Sequence, residues 1–483
     1  MSLTAIVGGR VLTMNDHRQI FESGTVLIEG NRIIAVGRDT EVDVPAEAEI
    51  IDASGQVVMP GLVNAHTHGT QSLLRAGGNQ DRDLLDWMFN DLYPGLAAYS
   101  LSDVRVALEL FCLESIRSGV TTVVLNDHVH PFDPLPAVDV AVEVLGRTGL
   151  RAVYARMFTD ALRPSSPRFM DTVRAREPHV HSASVLRDTT AILNDLDEMY
   201  RRHDNSYGGR VRVCASPSTA STTSLQALEF SRDTARARDG IWALHLSETP
   251  GDRPASEMSA VRFLDSHGLL DSRLLLGHCV HVDAADIRMI RRAGASISTQ
   301  PVSNGVLGSG IAPVPAFLQA GINVGIGTDD ANCNDACDVL SDLKTLGVVQ
   351  RAVNCDAAAV TAEELIELAT LGGARAVRQG SDIGRLAAGY KADIVLVDTR
   401  RPHLTPSSSI PAMLARQASG RDVHTVLIDG RVVMRDGIVD WLDGNAEADL
   451  LNTASERAEK IAARAGIATT RPWASRAFRS HEQ

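Results

Sequence analysis

Residues able to do hydrolytic chemistry gather in four short stretches. Pro60-Gly61-Leu62-Val63-Asn64-Ala65-His66-Thr67-His68 ends an apolar, strand-like run in His-x-His. Alternation along an extended chain puts both imidazoles on one side, within reach of one metal ion. Taken alone, such a pair reads as well as two hydrogen-bonded polar residues at a strand end. Three other stretches change the balance: His245-Leu246-Ser247-Glu248, Gly277-His278-Cys279 and Gly327-Thr328-Asp329-Asp330 each place an imidazole or a carboxylate directly after an apolar run. Together they supply the nitrogen and oxygen donors of a hydrolytic metal centre, provided one scaffold brings those run ends to a common face.

The spacing of apolar runs points to that scaffold. Strand-like segments at 57–64, 121–126, 151–158, 210–216, 241–246, 274–279, 295–299 and 322–327 alternate with stretches of helical period, among them 102–117, 185–202, 225–238, 284–292 and 339–352. Eight β-then-α units predict an α/β fold of the (β/α)8 TIM-barrel type, with chemistry at the C-terminal strand ends. Short Val- and Ile-rich runs at both chain ends, broken by turn signals such as Gly30-Asn31 and Asp429-Gly430, predict a small composite β-domain. The expected organisation is therefore 1–56 with 385–445 as the β-domain, 57–384 as the barrel, and 446–483 as a helical extension on the surface.

Composition narrows the partners. With 44% hydrophobic but only 4% aromatic residues, the 483-residue chain suits helix-covered sheets. Its net charge of -13 disfavours nucleic acid and anionic lipid. No apolar run is long enough to span a bilayer, and the start lacks the pattern of a leader. Six cysteines scattered without a Cys-x-x-Cys pair read as reduced thiols. A cytoplasmic enzyme acting on a small molecule, assembled as a homo-oligomer, is the expectation.

The combination PG-x-x-N-x-H-x-H, H-x-x-E, GH and GTD resembles the amidohydrolase superfamily over nearly the whole chain. Within it, the runs HTHGTQSLLRAGG, VYARMF, VSNGVLGSGIAPVP and GIGTDDANCND are similar to the branch of atrazine chlorohydrolase, melamine (s-triazine) deaminase and the aminopurine deaminases. The resemblance implies that His66, His68, His245 and Asp329 bind the metal, Asp329 also taking a proton from the bound water. It implies that Glu248 shuttles protons and that His278 polarises the substrate. A lysine bridging two metals is excluded, because Lys344, Lys391 and Lys460 are the only lysines and none lies in 210–217. One divalent ion, Zn2+ or Fe2+, is expected.

Deamination of an amino-substituted nitrogen heterocycle by metal-bound hydroxide is the implied reaction, the ring being an s-triazine such as melamine or an aminopurine- or pterin-like one. The alternatives are hydrolytic dehalogenation of a chloro-s-triazine and, remotely, a non-catalytic assembly protein; intact ligands speak against the latter. Asp330 and Cys333, with Leu84, match the deaminases rather than the chlorohydrolase. The substrate pocket is expected to include Gln71, Leu84, Trp87, Met88, Met157, Phe158, Ser303, Asn304, Asp330 and Cys333. The bland reading of Trp87, Met88 and Phe158 is rim packing. His128-Val129-His130 reads as pocket wall or loop, since two ligands without a third make no site. Segment 161–184 departs from the triazine enzymes, which leaves a natural ring open as the substrate.

Overall fold

The structure is a computed structural model that describes residues 2–75, 81–128, 134–161, 187–252, 258–407 and 409–468. Eight parallel strands form the barrel: β1 (Leu62–His68), β2 (Val120–His128), β3 (Arg151–Phe158), β4 (Val211–Pro217), β5 (Trp242–Leu246), β6 (Leu274–His278), β7 (Ser296–Thr299) and β8 (Val324–Ile326). β1 to β4 pair in order, as do β5 to β8, and a Thr219–His245 bridge joins the two arcs. Beyond β8, Asp329 and Asp330 pair with Thr67 and His68 and close the ring. Strands covered on both faces read as unbroken apolar runs; β3 is buried at every position.

A nine-stranded sheet draws strands from both chain ends. Gln56–Pro60 is its seam, parallel to Leu3–Leu12 and antiparallel to Ile394–Asp398. This corrects the expected first barrel strand at 57–64 and the boundary at 56. Its first half belongs to the outer sheet, and the barrel begins at Leu62, after Gly61. The apolar run conceals the break because both halves are buried. The outer sheet has its own core, including Ile6, Val11, Val26, Ile33, Val58, Ile394 and Leu427. Asp429 and Gly430 both take positive φ (53° and 78°), as a two-residue hairpin requires.

A buried ion network fastens sheet to barrel. Arg151, at the start of β3, bonds Asp393 through Nε (2.6 Å) and Nη2 (3.0 Å) and reaches Asp429 at 3.3 Å, while Lys391 also holds Asp429 at 3.0 Å. Arg151 and Asp393 are almost fully buried. Removing one partner strands the other charge, so Arg151→Met is expected to cost about 3–5 kcal/mol in denaturant unfolding. A loss under about 1 kcal/mol would show that the network contributes little.

Helix α1 (Leu101–Arg117) opens with a Ser100–Asp103 capping box. Two further helices matter here, α2 (Pro301–Val306) after β7 and α3 (Gly444–Ala465) near the C-terminus. On the surface, α3 packs on α1 and on the Gly69–Leu74 turn, burying Leu450, Ala454, Ile461 and Ala462. Its Arg457 and Arg464 both bond the buried Asp103 carboxylate, at 2.9 and 3.2 Å. Residues 469–483 of the expected extension lie outside the described residues. Among the described residues no helix is long and apolar enough to cross a membrane.

Candidate active site

Register sets the site. Asp329 lies opposite Thr67, Asp330 opposite His68, His245 opposite Gly277 and Leu246 opposite His278, so all these residues end up at the C-terminal barrel mouth. His66 and His68, two apart on β1, are buried with their Nε2 atoms 3.2 Å apart. His68 Nε2 is 3.4 Å from His245 Nε2. Asp329 Oδ1 is 3.2 Å from the Nε2 of both His66 and His68. Donors about 2.0–2.1 Å from a tetrahedral ion are themselves separated by roughly 3.3 Å, so these four residues fit one metal ion. Two of the three outer nitrogens are engaged: His245 Nδ1 donates to Ser218 O (3.1 Å), and Asn126 Nδ2 lies 3.1 Å from His66 Nδ1. Gly327 permits the close approach of β8 to β1, because a Cβ there would fall 2.5 Å from His66 O.

The electrostatics also fit a cation. Burial lowers His66 to about 4. Burial opposes charge on His68 too, but the carboxylates of Asp330, Asp329 and Asp127 outweigh it and push its pKa up to about 9. Burial likewise opposes the Asp329 charge, yet hydrogen bonds to His66 and His68 hold its carboxyl well below the usual range. An imidazole ringed by carboxylates attracts positive charge, as a proton or a metal. His66, His245 and His278 form a second group with ligand atoms within 4.8 Å of one another.

Glu248 follows Ser247, whose left-handed φ of 51° turns the chain over the barrel mouth. Its buried carboxyl is raised by desolvation. Ser309 Oγ donates to Oε1 at 3.2 Å, and His278 Nε2 lies 3.7 Å from Oε2. His278 and Asp329 are also left-handed, at φ 67° and 64°. Such strain at three strand ends concentrates where the chain bears chemistry.

A cavity of about 350 Å3 opens onto His245 and Glu248. Of the ten residues expected to line it, Leu84 and Met88 do. The other eight are absent from this lining, and their side chains take the following places. Trp87 and Phe158 pack in the main core, and Met157 is buried on β3. Gln71 is buried in the Gly69–Leu74 turn, its Oε1 without a partner among the described residues. Ser303 bonds Asp329, Asn304 bonds His278, Cys333 Sγ lies 3.1 Å from Ser303 Oγ, and Asp330 Oδ1 stands 3.9 Å from His68 Nδ1. Position after a strand does not reveal which way a side chain turns. Conversely, the lining includes a hydroxyl wall of Thr159, Ser218, Thr219, Ser221 and Thr222, together with Leu85, Tyr93 and Leu307. The Ser/Thr-rich run at 216–224 is the sequence signal that could have marked that wall. His128 ends β2, while His130 and residues 162–184 lie outside the described residues.

Residues 57–433 match the amidohydrolase family. The chain belongs to that family. This amidohydrolase is 36% identical over 477 residues to an S-triazine hydrolase of Gordonia rubripertincta, covering 98% of this chain and 99% of the relative. It is 32% identical to a 5'-deoxyadenosine deaminase of Methanosarcina mazei, covering 94% and 97%. The amidohydrolase also superposes on a zinc-bound adenosine deaminase from Xanthomonas campestris with TM-score 0.84 and 27% identity, over 95% of this chain and 98% of that one. The expected barrel with a β-domain agrees with these likenesses.

Proposed function

We propose that this amidohydrolase is a metal-dependent aminohydrolase that releases ammonia from an amino-substituted nitrogen heterocycle. The carrying observation is the cluster of three imidazoles and Asp329 beside Glu248, at the end of a ring-sized cavity. His66, His68, His245 and Asp329 would hold a divalent ion, zinc or ferrous iron, which when bound lowers the pKa of a water from roughly 15.7 to about 7. Glu248, whose carboxyl is raised by burial, accepts a proton from the attacking water and passes it to the ring nitrogen. The new C–O bond forms at the carbon bearing the amino group, His278 stabilises charge building on the ring, and the C–N bond breaks as Asp329 hands the second proton of the water to the departing amine. The hydroxyl wall and its apolar counterpart give a flat ring both hydrogen-bonding and stacking surfaces.

The S-triazine hydrolase and the deoxyadenosine deaminase support a triazine or aminopurine as substrate. An ammonia-release screen over aminotriazines, aminopurines, aminopyrimidines and pterins tests the reading, and metal-loaded protein silent on all four classes would refute it. Six unpaired cysteines, five buried, support a reducing, cytoplasmic setting.

Dehalogenation is the second reading, kept by the S-triazine hydrolase relative only as to the ring class. Asp330 Oδ1 stands 3.9 Å from His68 Nδ1, and neither Asp330 nor Cys333 lines the cavity of about 350 Å3. Paired amino and chloro analogues of one ring decide between the two readings. The amino ring is expected to be turned over at least about 10-fold faster, because the site holds two carboxyls, Asp329 and Glu248, that relay the protons a departing amine needs and a halide does not. The opposite ratio would make the protein a dehalogenase.

A further inference from the structure

The turn at the start of α2 reaches the strand ends on either side of it. Gln300 Oε1 accepts the backbone N–H of His278 at 2.8 Å. Ser303 Oγ is 2.6 Å from Asp329 Oδ2, and Asn304 Oδ1 is 2.9 Å from His278 Nδ1. Proton counting orients both contacts. An ionised carboxylate only accepts, so the single hydroxyl proton of Ser303 goes to Asp329. Cys333 Sγ, 3.1 Å from Ser303 Oγ, must then be the donor in that pair. An amide oxygen also only accepts, so His278 carries its proton on Nδ1 and turns a buried, otherwise unpartnered Nε2 toward Glu248.

Neither residue has another evident task. Ser303 and Asn304 are at most 1% exposed and are absent from the cavity lining. Buried polar side chains cost stability unless bonded, and these two bond the side chains of residues expected to do chemistry. Both of those residues hold left-handed backbone, a conformation that survives only when neighbours over-determine it.

We infer that Ser303 and Asn304 are positioning residues: Ser303 aims the Asp329 carboxylate at the metal position, Asn304 locks the His278 ring with its Nδ1–H engaged, and neither touches the substrate. This rests on the roles proposed above for Asp329 and His278. It explains how one turn of helix, after a strand that supplies no ligand of its own, sets the geometry of two other strand ends.

Two readouts that need no turnover test it. Zinc affinity, measured by chelator competition, is expected to fall about 10–100-fold in Ser303→Ala and to return in Ser303→Thr, the usual effect of losing a partner that orients a ligand. Nitrogen NMR of histidine-labelled protein, with His278 assigned from His278→Gln, is expected to show the Nδ1–H tautomer in the wild type. That tautomer should be lost in Asn304→Leu, which keeps bulk without an acceptor, and regained in Asn304→Asp. Should Ser303→Ala or Asn304→Leu fail to fold, Ser303→Cys, a weaker donor, is expected to lower zinc affinity, and Asn304→Asp to move the Nδ1–H resonance. Unchanged zinc affinity in the Ser303 variants, or an unchanged His278 signal in the Asn304 variants, overturns the inference. A protein that releases no ammonia from any ring yet shows both changes would overturn the deaminase reading alone.

Discussion

Glu248→Gln is expected to lose about 10²-fold or more in kcat while keeping its metal and its melting temperature. The substitution retains shape and the Ser309 contact but cannot carry a proton. The carboxyl is fully inside the barrel mouth, and burial already raises it toward its neutral form, so the amide removes little native-state charge stabilisation. KM is expected to stay within about 3-fold, since the lost interaction belongs to the transition state rather than to binding. Metal analysis and a thermal melt on the same preparation separate this from misfolding. Near-normal turnover would move the proton shuttle to His278, whose Nε2 lies 3.7 Å away.

Chelation is expected to remove about one divalent ion per chain and to cut activity by on the order of 10³-fold or more, with recovery on adding back zinc or ferrous ion. One ion follows from one cluster of Nε2 donors with a single Asp329, and from the lack of any lysine in β4 that could bridge two ions. The stripped protein should also melt at lower temperature, because an ion that binds only the native state stabilises it by mass action. His245→Ala should bind the ion poorly, whereas His128→Ala and His130→Ala should leave the ion count unchanged. Two ions per fully active chain would contradict the site as described, and metal loss in either of the last two variants would reveal a missed ligand.

Residues tied to strand ends are legible in the sequence alone. Alternation places His66 and His68 together whatever surrounds them, and a barrel sends every strand end to one face, so His245, His278 and Asp329 join them. Positions that depend on a loop's turning direction are not. Glu248 follows β5 by two residues and Ser303 and Asn304 follow β7 by four and five, and the turn of α2 sets the latter two against Asp329 and His278. Asp330 shows the same limit within a strand, because one step past Asp329 alternation turns it away toward His68 Nδ1. The seam at Gly61 is hidden because both strands beside it are apolar, and only a close approach marks it: a Cβ there would fall 2.1 Å from Thr121 Oγ1. Helix α3 reads as polar overall, and its docking on α1 depends on four buried residues and two arginines that meet a single aspartate.

The outer sheet has a consequence for how the protein is made. Gln56–Pro60 leaves the ribosome with one edge satisfied by Leu3–Leu12, while the strand that covers its other edge, Ile394–Asp398, is over three hundred residues away along the chain. At translation speeds of roughly 5–20 residues per second the edge stays open for about 15–70 s. An unpaired apolar edge is a template for mispairing with a neighbouring nascent chain. Yield during overexpression should therefore depend on chaperone capacity and synthesis rate, and slower induction at lower temperature should favour the soluble product without altering the finished enzyme.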